Sequence, residues 1–262
     1  MDRAIEQTEA LIAKYQRIKA GLMQDLLARG IDEHGHLRDP TTHKFKPSPL
    51  GHIPMAWEVV PLSDFCPPGS PITYGVLKPG EYAPNGIPLL QIEDVIHGDI
   101  DSDALHRISR SLDAQYARTR LKGGEIVVSL VGTIGKVAQI PSHLSGANLH
   151  RNLARIEVAL PNSSEYLYQV LQSQNVQKAI KDTTFGSTQS LLNLGALRSL
   201  LIPRPEPSEQ GSLASILNAQ DAILRAESES LSKLIRLKAG LMQDLLTGEV
   251  SVEPLLETQT AS

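Results

Sequence analysis

The nonapeptide KAGLMQDLL occurs twice in this chain, at Lys19–Leu27 and at Lys238–Leu246, with Arg17 and Arg236 ahead of the two copies at the same spacing. Nine identical residues 219 positions apart exceed chance, and an internal repeat constrains architecture before any local signal does. Both copies sit in long helix-forming stretches with almost no Gly. The repeat therefore predicts two similar helical ends around one different middle. In the first stretch Leu11, Tyr15, Ile18, Leu22 and Leu26 recur at steps of three and four, which lines one helical face, and Gly30 is placed to cap it. The second runs from about residue 208 to 246 behind Pro205 and Pro207, with Ser208 as its N-cap. There Leu213, Leu217, Leu224, Leu231, Leu234, Leu241 and Leu245 fall at heptad-like spacings. At 1.5 Å per residue the helices are roughly 40 and 60 Å long, enough to overhang a compact domain. An antiparallel pair is expected; the alternative is that both pack on the middle.

Between the helices, residues 31–49 are polar and rich in His, Asp, Thr and Pro, and read as a linker. The middle, residues 50–205, reads as strands and turns. Short apolar runs at Trp57–Leu62, Ile87–Ile92, Glu125–Leu130, Lys136–Ile140 and Ala154–Leu160 are bounded by Gly, Pro or Asn. Tyr166–Lys181 predicts a helix and Ser190–Leu197 a shorter one. The expected fold is α+β, one mixed-strand domain with a curved sheet, flanked by two long amphipathic helices. The division is 1–30 helix, 31–49 linker, 50–205 central domain, 206–248 second helix and 249–262 tail.

The single cysteine, Cys66, excludes a disulfide framework and a Cys-ligated zinc site, and suits a reducing cytoplasm. No apolar run of about 18 residues exists and the first 20 residues are charged, so neither a membrane span nor a secretory signal is expected. The net charge of −4 conceals an uneven distribution. Residues 1–47 carry +1, residues 48–205 zero and residues 206–262 −5, yet Ser102–Arg155 holds eight basic residues against three acidic. Such a field acts over about 8–10 Å before salt screens it, so it can attract a phosphate backbone despite the acidic total. An ordinary solvated face is the bland alternative.

No catalytic constellation emerges. Val131–Lys136 approaches a phosphate-binding loop, but Leu130 and Val137 occupy the positions that need Gly and Ser or Thr. His34, His36 and His43 lack a cysteine or carboxylate frame for a metal, and read as a solvated linker. No metal, cofactor or catalytic residue is expected. Polar Gly-containing loops stand out instead: Thr73-Tyr74-Gly75 with Lys78; Val131–Lys136, which contains Thr133, preceded by Arg118, Arg120 and Lys122; Phe185–Ser190, which contains Ser187, Thr188 and Gln189; and His150-Arg151-Asn152. Arg and Lys bond phosphates or guanine, Asn and Gln bond adenine in two places, and Gly lets backbone approach a groove. Arg118, Arg120, Lys122 and Lys136 are expected on phosphates, and Arg151, Asn152 and Gln189 on bases. Ordinary turn chemistry explains any single loop.

Laid out this way, the chain resembles the DNA-specificity subunit of type I restriction-modification systems over nearly its whole length. The resemblance is carried by KAGLMQDLLARGID and KAGLMQDLLTGE, His34-Gly35-His36-Leu37-Arg38, Ser48-Pro49-Leu50-Gly51-His52-Ile53-Pro54 with Trp57, and Gly86-Ile87-Pro88 to Asp94. It continues through Gly124–Ser129 with Gly132 and Gly135, Gly186–Gln189, Ile202–Pro205 and Glu209-Gln210. It implies a non-catalytic subunit that directs adenine methylation, and restriction, to a split target on double-stranded DNA. It further implies an antiparallel coiled-coil spacer and modification subunits that hold the S-adenosylmethionine, with a restriction subunit as a further partner. Family subunits carry two recognition domains and this chain has one, resembling a half subunit. Pairing with a second copy or a second half restores the missing domain, and Leu22, Leu26, Leu241 and Leu245 are the expected partner surface. The competing readings are a truncated docking module without useful specificity, or a competitor of the intact subunit, and a free-standing enzyme.

Overall fold

The computed structural model describes residues 1–96, 104–184 and 191–247. In chain order the elements are helix α1 (Asp2–Arg29), strands β1 (Phe45–Ser48), β2 (Gly51–Pro54), β3 (Glu58–Pro61), β4 (Thr73–Tyr74) and β5 (Ile87–Leu90), and helix α2 (Ile92–Ile96). Then come β6 (His106–Ile108), α3 (Arg110–Gln115), β7 (Ile126–Ser129), β8 (Val137–Gln139), β9 (Asn148–Leu149) and β10 (Leu153–Ile156). The last are α4 (Ser164–Gln172), α5 (Gln174–Thr184), α6 (Leu194–Arg198), β11 (Leu201–Arg204) and α7 (Pro207–Thr247). The class is mixed α+β with a long helix at each end.

Two compact units result, one of residues 1–22 and 217–262, the other of residues 23–216. In the first, Asp2 pairs with Lys238 at 2.6 Å and Lys19 with Asp221 at 2.5 Å. Low numbers of α1 meet high numbers of α7, so the two helices run in opposite directions. Half-buried Leu224, Glu227, Leu231, Leu234 and Lys238 alternate steps of three and four along α7. On α1 the inward stripe passes through Leu11, Tyr15, Lys19 and Leu22, while Ile18, expected on it, is exposed. Lys19 takes the inward place because its charge has Asp221 to meet.

The second unit is built on a four-stranded antiparallel sheet in the order β4-β10-β7-β8. A three-stranded sheet β6-β5-β9, whose β5–β9 pair is parallel, sits over a shared core of Leu90, Leu121, Val127, Leu149 and Leu153. Every residue of β7 and β10 is buried, which fits interior strands covered on both faces. Two smaller ladders, β1-β2 and β3-β11, complete it.

Several readings need adjustment. The stretch 31–49 holds strand β1 and a bridge from Ile31 to Leu37. The helix expected over 166–181 is two helices, parted at Ser173, whose extended ψ of 149° breaks the ladder. Strand β10 ends at Ile156, before the expected limit.

One carboxylate ties the ends of the unit together. Glu209, on the first turn of α7, accepts from Arg38 Nη2 at 3.1 Å, Trp57 Nε1 at 3.0 Å and the Ile31 amide at 3.0 Å. Gly30 turns the chain beneath it at φ 63°, where a Cβ would stand 2.2 Å from Glu209 Oε1 and 2.4 Å from Trp57. Only glycine fits there. The neighbouring Gln210 is fully buried and bonds the Ser163 amide and the Pro205 carbonyl.

Candidate nucleic-acid interface

At one end of the four-stranded sheet, strand pairing gathers segments far apart in sequence. β10 starts where β7 ends, because Leu153 faces Ser129. Beyond that pair the Leu130 amide donates to the Asn152 carbonyl at 2.7 Å. Past β4 the chain crosses to the same place: the Val76 amide donates to Leu149 O at 2.7 Å and Arg151 N to Val76 O at 2.9 Å. On the other flank Leu192 N donates to Leu130 O, and Val131 bridges Leu191. Thus Tyr74-Gly75, His150-Arg151-Asn152 and the β7–β8 turn line one edge, beside the point where Leu191 re-enters. Ser187, Thr188 and Gln189 precede that point and lie outside the described residues.

The edge is held by specific contacts. A Cβ on Gly75 would lie 1.7 Å from the Leu149 carbonyl, so the crossing of these two segments requires glycine. The β7–β8 turn is pinned from within by Ser129, whose hydroxyl donates to Thr133 O and accepts from the Lys136 amide. From outside, Gln177 of α5 donates to Gly135 O at 2.8 Å.

The cations divide into two groups. Lys78, Arg118, Lys136 and Arg151 are exposed and have no ion-pair partner among the described residues; Thr133 is exposed beside them. Arg118 shares a surface concavity with Tyr74 and Leu77, which brings it to this edge. Arg120 is different: its Nε bonds Asp113 at 2.7 Å. That buried carboxylate also accepts from Asn148 Nδ2, and Asn148 in turn accepts from Thr119. Arg120 therefore serves a network that fixes the turn carrying Arg118. Lys122 donates to Glu157 at 2.7 Å, beyond the C-terminal end of β10 and so at the opposite end of the sheet. Each of these two positive charges thus has a carboxylate partner within the fold. His150 is half-buried; burial foremost, then the Arg151 charge, pulls its pKa down, which favours the neutral ring. A neutral ring adds nothing to the phosphate attraction.

On the helical surfaces, Leu22 is half-buried, Leu241 is 49% exposed, and the Leu245 side chain lies outside the described residues. Leu26 is 4% exposed. It is buried in the unit of residues 23–216 and so is removed from any outer surface. The same nonapeptide thus has two environments: Met23 is 9% exposed, and its counterpart Met242 is 50% exposed. Sequence reasoning missed Leu77 and Gln115 at the loop edge; the Ser109 N-cap of α3, whose hydroxyl accepts from Leu112 N, was the available signal.

Residues 54–235 match the family model for the type I restriction modification DNA specificity domain. The chain belongs to that family. It is 26% identical over 259 residues to the MjaVIII specificity subunit of Methanocaldococcus jannaschii, covering 97% of this chain and 58% of that one. It is 25% identical over 209 residues to the EcoBI specificity subunit of Escherichia coli, covering 77% and 43%. The chain spans about half the length of these relatives. The fold is shared with the S subunit from M. genitalium, at a TM-score of 0.60, 16% identity and coverage of 93% and 57%. It is shared likewise with the HsdS subunit from Thermoanaerobacter tengcongensis, at 0.56, 19%, 95% and 56%. Among the described residues no helix is long and apolar enough to cross a membrane.

Proposed function

We propose that this chain reads DNA sequence for a type I methyltransferase complex, directing adenine methylation and restriction to a split target, and that it is itself non-catalytic. The observation that carries the reading is an edge of the central domain where three loops meet four exposed cations that have no ion-pair partner among the described residues, in a chain of the specificity family. Arg118, Lys136 and Lys78 meet phosphates, which position the domain, while Arg151 and Asn152 face bases, which specify. Residues 50–205 form the recognition domain. The opposed helices form the antiparallel coiled-coil spacer, supported by the alternating three- and four-residue stripe of α7. S-adenosylmethionine belongs to the modification subunits, whose seat includes the exposed apolar face at Leu237, Leu241 and Met242.

We propose further that two copies of this recognition domain, related by a two-fold axis, form the complete reader, two-fold pairing being the commonest oligomeric symmetry. Identical domains so related read an inverted repeat interrupted by a spacer. Co-expression with a modification subunit, followed by mapping of methylated adenines, tests this. An interrupted inverted repeat that vanishes without this chain is expected. An asymmetric motif would reject the homodimer, and unchanged methylation without the chain would reject the specificity role.

A further inference from the structure

Beside the loop edge lies an open dish of about 420 Å³, lined by Tyr74, Leu77, Ala114, Gln115, Ala117 and Arg118 among others. Its composition is mixed in a particular way. Leu77 is 44% and Tyr74 36% exposed, although neither packs a core. Gln115 ends α3 with its side chain exposed; its amide nitrogen makes only a 3.4 Å contact to Ser111 O, and its carbonyl oxygen has no partner among the described residues. Arg118 is unpaired. The dish is open to solvent, so it suits the edge of an intact base pair.

Resting on the reading that this edge meets DNA, we propose that the dish selects an A·T pair in the major groove, with Gln115 and Leu77 as specificity-determining residues. A glutamine amide matches adenine in two places, donating to N7 and accepting from the N6 amine, and an apolar side chain beside it meets the thymine 5-methyl group. Leu77, in the same lining as Gln115, supplies that apolar contact. Arg118 at the rim takes the adjoining phosphate. Guanine presents two acceptors, N7 and O6, so a G·C pair denies Gln115 the two-bond match that adenine gives, and it offers Leu77 no methyl.

The test uses the chain assembled with its modification subunit and duplex DNA bearing the motif that methylation mapping defines. Gln115→Ala should relax the motif at one A·T position, with discrimination there falling about tenfold to a hundredfold while the salt dependence of binding stays unchanged. In the unmodified complex, 7-deazaadenine or uracil at that same position should weaken binding several-fold. Leu77→Ala should abolish the uracil effect alone. Gln115 and Leu77 are exposed, and the base substitutions need no protein variant, so misfolding cannot imitate the result. A motif unchanged by Gln115→Ala, or relaxed at a G·C position, overturns this inference alone. A wild-type complex that methylates no defined motif overturns both it and the function on which it rests.

Discussion

Replacing Arg155 by Ala is expected to destabilise the central domain by about 3–5 kcal/mol, the scale for stripping one partner from a buried ion pair. Arg155 is 4% exposed and lies between two carboxylates, bonding Glu125 at 3.2 Å and Glu157 at 2.7 Å, with Ser70 at 3.4 Å. Glu125 is 3% exposed, so removal of the guanidinium leaves its charge without a cation in the protein interior. Chemical denaturation of the isolated chain measures the loss; a change below about 1 kcal/mol would show that water replaces the arginine. The network also has a pH signature. Burial alone would raise the Glu157 pKa, but bonds from Lys122, Ser70 and Arg155 pull it down to about 2. A carboxylate lowered on folding contributes stability that is present above its unfolded pKa and lost as pH falls toward the folded one. Wild-type stability should therefore fall between about pH 4.5 and pH 2. Arg155→Ala should flatten that decline.

Loss of Glu209 is expected to cost about 3 kcal/mol, because Arg38 and Trp57 Nε1 would both lose a charged acceptor in a site where Trp57 is fully buried. Glu209→Gln should cost less than Glu209→Ala, since one carbonyl oxygen survives to accept. Equal losses would assign the effect to packing. Fluorescence of Trp57, the sole tryptophan, reports the change directly.

Both helical ends were legible in the sequence, since an apolar stripe at helical spacing over many residues identifies itself without tertiary context. α1 fills the expected range; α7 begins at Pro207, so Ser208, expected as its N-cap, lies inside the first turn instead. The short strands were harder. β9 has two residues and exists because Leu89 and Leu90 lie alongside it, a pairing invisible to a local pattern. The break at Ser173 carries no Gly or Pro to announce it. For the candidate site, sequence located the loops but not their partners. Arg118, Arg120 and Lys122 look alike in the chain, yet Asp113 engages the second and Glu157, 35 residues on, engages the third. The motifs that carried the resemblance, Gly30, Trp57 and Glu209-Gln210 among them, hold the fold together. They therefore say little about which bases are read; that depends on side-chain placement at the loop edge.

The most direct measurement is the affinity of the assembled complex for duplex DNA across a range of salt. Each phosphate contact contributes about 0.9 to the slope of log affinity against log salt. Neutralising Lys78, Arg118 and Lys136 together with Gln should lower that slope by about two to three and weaken binding to every sequence. Lys122→Gln, at the other end of the sheet, should leave it unchanged. An unaltered slope in the triple variant, or an equal loss from Lys122→Gln, would contradict the assignment of this edge to DNA.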